Sequence, residues 1–143
     1  MKVVVTGASG FIGKRLIEMA KDRYEILPLS LRNNNLSNID LTGTDVIVHL
    51  AGKAHEMKKA DDRLFYEINY QLTKNLAEKA LEQKIPHFIY ISSIKVYGDE
   101  TSKILNEQSA CSPTDAYGKS KLQAEQYLQT VNADKMAVAI IRP

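Results

Sequence analysis

Short apolar runs alternate with amphipathic stretches along this chain. Val3, Val4 and Val5 form a β-branched run near the start, and "EILPLS", "DVIVHLA", "HFIYISS" and "MAVAIIR" follow at intervals. Short continuous apolar runs between turn residues suit strands buried on both faces of a parallel sheet. Between the runs the period lengthens to that of a helix. One such stretch covers about 11–22, with Leu16, Ile17 and Ala20 inward. A second covers about 62–83, where Ile68, Leu72, Leu76 and Ala80 form the expected buried row. A third opens at Pro113, Thr114 and Asp115, where Thr114 or Asp115 can cap it. The polar stretch "LRNNNLSNID" predicts a loop with a short strand near 38–41. Strands alternating with helices predict an α/β fold. Specifically, they predict a Rossmann-type doubly wound parallel sheet of order 3-2-1-4-5-6, as a single domain over 1–143.

The first strand runs into "TGASGFIG", which spaces three glycines as Gly7, Gly10 and Gly13 before the first helix. Strand, glycine turn and helix is the context of a dinucleotide fingerprint. Gly7 permits a tight turn, Gly10 lets the backbone approach a pyrophosphate, and Gly13 allows close helix–strand packing. Free N–H groups at the helix N-terminus then face the phosphates. The second chemical signal is Tyr117 with Lys121, four residues apart in "DAYGKSKLQAEQYL" and therefore on one helix face. A free tyrosine, with a pKa of about 10, is too weakly acidic to act as a base at neutral pH. A neighbouring ammonium favours the phenolate. A tyrosine so assisted takes a proton from an alcohol or sugar hydroxyl.

Together these segments resemble the extended short-chain dehydrogenase/reductase family, in its group of NAD(P)-dependent nucleotide-sugar epimerases, reductases and dehydratases. "TGASGFIG" is similar to the family's cofactor loop, which implies that Gly7, Ser9, Gly10, Phe11, Ile12 and Gly13 contact the cofactor. "DVIVHLAGKAH" resembles the strand-four segment lining the cofactor pocket, here Leu50, Ala51 and Gly52. "INYQLTKNLAEKA" resembles the helix with a structural asparagine, Asn69, which by this resemblance orders the strand-four and strand-five backbones. "YISSIKVYG" resembles the strand-five segment with the active-site serine, Ser93, preceded by Ser92 on the cofactor side. "YGKSK" is the family's Tyr-x-x-x-Lys, and "AIIRP" resembles its strand-six ending. The resemblance implies that Tyr117 is the base, that Ser93 bonds the reacting sugar oxygen, and that Lys121 holds the ribose hydroxyls. It implies a nicotinamide cofactor, NAD or NADP.

Two departures narrow this further. Family dehydratases carry an acid pair just after the serine position, where this chain has Ile94 and Lys95, so dehydration is not expected. NAD-binding members place an acidic residue at the end of strand two, where this chain has Ser30 with Arg32 two residues on, a pair suited to a 2′-phosphate. The expectation therefore leans to NADP. Asp40, with Leu41 after it, resembles the acidic position that contacts adenine at the end of strand three.

The remaining observations mostly exclude. A net charge of +2 with acids and bases interleaved, and 44% hydrophobic residues, suit one domain with a core and argue against nucleic acid or a membrane surface. The single cysteine, Cys111, makes no disulfide framework, and a reducing cytoplasm is the simplest setting. No signal peptide or spanning segment is evident. His49, His55 and His87 are too scattered for a metal site, and His49 at a strand end reads as a packed, hydrogen-bonded core residue. Lys103 and Lys119 are assigned to solvent. The resembled family has a C-terminal half that supplies most nucleotide-sugar contacts, and a chain ending one residue past a strand reads as a cut piece of such a protein or, alternatively, as a truncated gene product. An exposed sheet edge in it admits a homodimer. The expected function is hydride transfer at C4 of a nucleotide-linked sugar, by an epimerase or a ketoreductase, in surface-polysaccharide precursor synthesis. The alternative is a non-enzymatic NAD(P)-binding module that senses redox state, for which an intact base has no use.

Overall fold

A computed structural model describes residues 1–32, 36–54, 61–99 and 104–143. Five parallel strands form one sheet: β1 (Lys2–Thr6), β2 (Glu25–Leu29), β3 (Val46–His49), β4 (His87–Ile91) and β5 (Ala137–Ile141). Their order across the sheet is β2-β1-β3-β4-β5. This matches the expected doubly wound order with one strand fewer among the described residues. The segment expected to add a strand near 38–41 instead makes a 3-10 turn, Leu36–Asn38, after which Leu41 turns into the core. β2 is consequently an edge strand. Pro28 in its interior, opposite Val5, has no N–H to donate, which only an edge tolerates.

Helices cover both faces, as apolar parallel strands require. On one face α1 (Phe11–Ala20) packs Leu16 and Ile17 over Val3, Val5 and Val46. On the other, α3 (Leu72–Glu82) and α4 (Ala116–Gln129) bury Leu76, Ala77, Ala80, Ala124 and Leu128 against Val4, Ile47, Phe88 and Tyr90. On the α1 side of β5, Ala137, Ala139 and Ile141 stay exposed. No helix among the described residues is long and apolar enough to cross a membrane.

The helix expected over 62–83 begins as α2 (Asp62–Phe65), passes through a π turn (Tyr66–Gln71) and continues as α3. Its buried row differs from the expected one. Leu76 and Ala80 are buried, but the row's N-terminal part is Asn69 and Thr73 rather than Ile68 and Leu72. Ile68 lies inside the π turn and Leu72 just after it, where the even α-helical spacing behind an i+4 row does not hold. Ile68 and Leu72 drift off the core and onto the wall of a cleft. As expected, Asp115 caps α4, its carboxylate accepting from the Gly118 N–H at 2.6 Å.

Candidate active site

The cleft lies at the carboxyl ends of β1, β2 and β3, the edge where ligands bind in open α/β sheets. It has a volume of about 930 Å³ and is lined by Gly7–Gly10, Leu29–Arg32 and Leu50–Ala54, closed on one side by Ile68 and Leu72. Gly7 adopts φ +66°, and a Cβ there would stand 2.7 Å from the backbone of Leu50 and Ala51. Only glycine lets β1 turn this close to the chain leaving β3. At Gly13 a Cβ would lie 2.4 Å from the Gly7 carbonyl oxygen, so that glycine lets α1 sit against the loop. Gly10 is the N-cap of α1, and no side chain caps that end. The first amides of α1 are therefore left for an anion. These features fit a dinucleotide pyrophosphate. A Cβ at Gly10 would meet only the Gly7 oxygen, at 3.2 Å. Gly10→Val is thus expected to keep the fold while its branched side chain blocks the approach. NAD(P) affinity should fall more than about tenfold, or about 1.4 kcal/mol. Calorimetric titration checks this, and equal affinities would reject the loop assignment.

The catalytic candidates arrive from α4 and β4. Tyr117 and Lys121 share a face of α4, and the Tyr117 ring meets Phe65 edge-on, with centroids 6.3 Å apart. Lys121 is 4% exposed; its ammonium donates to the Ile91 carbonyl at 2.6 Å and lies 4.1 Å over the Tyr90 ring. Burial draws its pKa down to about 7, partly opposed by Glu125. Ser93 sits two residues past Ile91 and caps the 3-10 turn Ile94–Tyr97, accepting from the Lys95 N–H at 3.2 Å. The Lys121 bond ties α4 to the last carbonyl of β4, two residues before Ser93; Tyr117, Lys121 and Ser93 are not among the residues lining the glycine cleft. The hydroxyl of Ser92 is buried without a hydrogen-bond partner among the described residues. Gly118 makes the approach of α4 possible, since a Cβ there would come within 2.6 Å of the Lys95 oxygen.

The other expected residues fall in different places. Ser9, Arg32, Leu50, Ala51 and Gly52 line the cleft. Phe11 is 93% exposed and Ile12 half exposed, and neither lines it. Asp40 is exposed and accepts from the Thr42 N–H, while Leu41 is in the core. Asn69 is fully buried. It binds both backbone groups of Lys53, at 2.8 and 3.0 Å, and donates to Ser120 Oγ at 3.0 Å. It therefore orders the chain after β3 and the start of α4, and among the described residues no bond of its side chain reaches β4. Lys119 is exposed, while His55 and Lys103 lie outside the described residues.

The sequence matches the NAD dependent epimerase/dehydratase family over residues 3–143. The chain belongs to this family. It is 32% identical to a UDP-glucose 4-epimerase of Vibrio cholerae over 99% of this chain and 50% of that protein. Among solved structures, RMD from Pseudomonas aeruginosa, complexed with NADPH, superposes with a TM-score of 0.85 at 28% identity, covering 99% of this chain and 53% of that one. UDP-glucuronic acid 4-epimerase from Bacillus cereus, in complex with NAD, gives a TM-score of 0.84 at 26% identity, covering 99% of this chain and 56% of that one. The chain spans about half the length of the curated relatives it matches.

The sequence reading of this epimerase/dehydratase family member missed several residues. Lys53 and Ala54 also line the cleft; they belong to the "DVIVHLAGKAH" segment, in which the resemblance marks only Leu50, Ala51 and Gly52. Glu125, fully buried, is held by Arg142 through bonds of 3.1 and 2.5 Å. Arg142 also donates to the Tyr97 hydroxyl at 2.6 Å. The available signal was an acid four residues beyond Lys121 on a buried face. His49 behaves as expected of a core residue, fully buried between Thr6 and Thr73.

The buried bases give stability a particular pH dependence. His49 is held down at about 3 by burial and by the Lys121 charge, so the unfolded chain binds the extra proton between about pH 3 and 6.5. Stability should rise with pH across that window, at up to about 1.4 kcal/mol per unit. Lys121, lowered to about 7, repeats this between about pH 7 and 10. Burial raises the Tyr90 phenol above its ordinary value, which reverses the trend above about pH 10. Urea midpoints that climb from pH 4 to 6 and again from pH 7 to 9 are the expected result. For Lys121→Met the second climb should be absent.

Proposed function

We propose that this chain is the cofactor-binding half of an NAD(P)-dependent epimerase or 4-ketoreductase that transfers hydride at C4 of a nucleotide-linked sugar in surface-polysaccharide precursor synthesis. The observation that carries this reading is the Lys121 ammonium bonded to the Ile91 carbonyl at 2.6 Å, one helical turn after Tyr117 and with Ser93 two residues beyond Ile91. The similarity to a UDP-glucose 4-epimerase supports the substrate class. A nicotinamide bound in the cleft supplies the hydride acceptor. Tyr117 takes the proton of the C4 hydroxyl, Ser93 hydrogen-bonds that oxygen, and Lys121 favours the tyrosinate and holds the ribose hydroxyls. An epimerase would return the hydride to the opposite face of the keto sugar, whereas a ketoreductase would run only that reducing half, with a reduced nicotinamide as the hydride source and Tyr117 giving a proton to the C4 oxygen. Ile94 and Lys95 supply no carboxylic acid where a dehydratase needs one, and Lys95 is already paired with Asp99 at 2.6 Å. This favours epimerisation or reduction over elimination.

The nucleotide preference in this reading is for NADP(H). Ser30 and Arg32 both line the cleft at the end of β2, and the Arg32 N–H reaches Ser30 Oγ at 3.4 Å. Among the described residues, no carboxylate lines that end of the cleft to claim a 2′-hydroxyl. NADPH should bind more tightly than NADH, and Arg32→Ala should erase the difference. Fluorescence titrations with both cofactors test this, and a preference for NADH would overturn it.

A further inference from the structure

A line of buried hydrogen bonds runs from the cleft wall to the backbone of Tyr117, and its donors and acceptors can be assigned one by one. The Ala51 N–H donates to Thr6 Oγ1 at 3.2 Å. Thr6 Oγ1 lies 2.6 Å from His49 Nδ1, and His49 Nε2 lies 2.9 Å from Thr73 Oγ1. Thr73 donates its only hydroxyl proton to the Asn69 carbonyl, at 2.7 Å. Towards His49 it can therefore only accept, so Nε2 carries the ring proton. Nδ1 is then the acceptor, and the Thr6 hydroxyl donates to it. Beyond Thr73, the Asn69 side-chain amide donates to Ser120 Oγ at 3.0 Å, and Ser120 donates to the Tyr117 carbonyl at 2.7 Å. The same Asn69 side chain grips Lys53 on the cleft wall through both backbone groups. His49, Asn69 and Thr73 are all 0% exposed and Ser120 is 2%, so water does not compete for these bonds.

Each group in this line has one arrangement of protons that satisfies all the others. Buried polar chains of that kind hold a single geometry because any broken link leaves an unpaired group. Asn69 is placed to serve both branches by the π turn Tyr66–Gln71, which carries it. We propose that Thr6, His49, Thr73, Asn69 and Ser120 form a positioning device that locks the turn bearing Tyr117 in register with the cleft wall at Ala51 and Lys53. The device rests on the functional reading above for its purpose. None of Thr6, His49, Thr73 or Ser120 touches substrate in that reading, and all four act through Tyr117 and the wall. The groups facing His49 are the Lys121 ammonium, whose charge opposes a second ring proton, and the Phe88 and Tyr90 rings at 5.9 and 5.8 Å.

The test uses Thr73→Val, which keeps the shape and removes the middle link, with Thr73→Ser as its rescue. Three readouts are taken: the His49 imidazole tautomer by nitrogen NMR, the Tyr117 ring resonances, and NADH affinity by fluorescence. The wild type should show one neutral Nε2–H tautomer. Thr73→Val should lose that signature, move the Tyr117 resonances and weaken NADH about tenfold, and Thr73→Ser should restore all three. A Thr73→Val protein that melts earlier but keeps wild-type Tyr117 resonances and NADH affinity would overturn the proposal, as would a serine variant that restores none of them. If Thr73→Val does not fold, Ser120→Ala cuts the line at the Tyr117 end and is judged by the same readouts. If the wild type binds neither NADPH nor NADH, the functional reading falls. The Tyr117 resonances then decide the device alone: moved in the valine variant they support it, unmoved they overturn it.

Discussion

Tyr117→Phe is expected to lower nucleotide-sugar turnover by about 10²–10⁴, the range for loss of a positioned acid–base group, with dinucleotide affinity nearly unchanged. The assay uses a protein of the full length of its relatives, of which this chain spans about half. The phenylalanine keeps the ring and its edge-on contact with Phe65, so only the hydroxyl is lost. Lys121→Ala provides the contrast. It removes the ammonium from the Ile91 carbonyl and from the face of Tyr90, so turnover and dinucleotide binding should both fall. Single-turnover rates and equilibrium titrations on the two variants separate the roles. Full activity in Tyr117→Phe would end the functional reading as a whole.

Arg142→Ala is expected to destabilise the fold by about 3–5 kcal/mol, the usual consequence of stripping one partner from a buried ion pair. Glu125 has no exposure, and Arg142 is the cation that forks onto both its oxygens. The hydrogen bonds to Glu125 hold the Arg142 guanidinium above its ordinary pKa. Arg142 also lies 4.8 Å over the Tyr97 ring, whose hydroxyl in turn donates to the Asn106 carbonyl. One guanidinium therefore ties the end of β5 to α4, to the turn after Ser93 and to the following loop. Urea unfolding should show the loss directly. The double variant Glu125→Leu, Arg142→Leu should recover most of it, because an apolar pair of similar volume leaves no buried charge. A loss below about 1 kcal/mol in Arg142→Ala would place the pair among ordinary surface ion pairs.

Much of the fold was legible because its signals are local. The valine runs, the glycine spacing before α1 and the Asp115 cap depend on residues adjacent in the chain. Two readings went astray for identifiable reasons. The strand expected near 38–41 has no apolar run of its own; a 3-10 turn there delivers Leu41 to the core, and edge strand β2 is left unpaired on one side. The i+4 row from Ile68 was taken as core because the pattern of one helix does not say which neighbour each side faces. Its first members meet the cleft, and two polar residues, Asn69 and Thr73, go inward instead.

The sequence by itself determined the parallel α/β layering, the glycine loop and the presence of a tyrosine and lysine on one helix face. Each of these is a matter of period and spacing along the chain. Tertiary structure alone decided that Lys121 reaches the Ile91 carbonyl, that Asn69 binds Lys53 and Ser120, that Glu125 meets Arg142, and that His49 bridges Thr6 and Thr73. These partners lie 16 to 51 residues apart. A polar residue's suitability for burial depends on which partner the folded sheet sets opposite it, and that information appears in no single stretch of sequence.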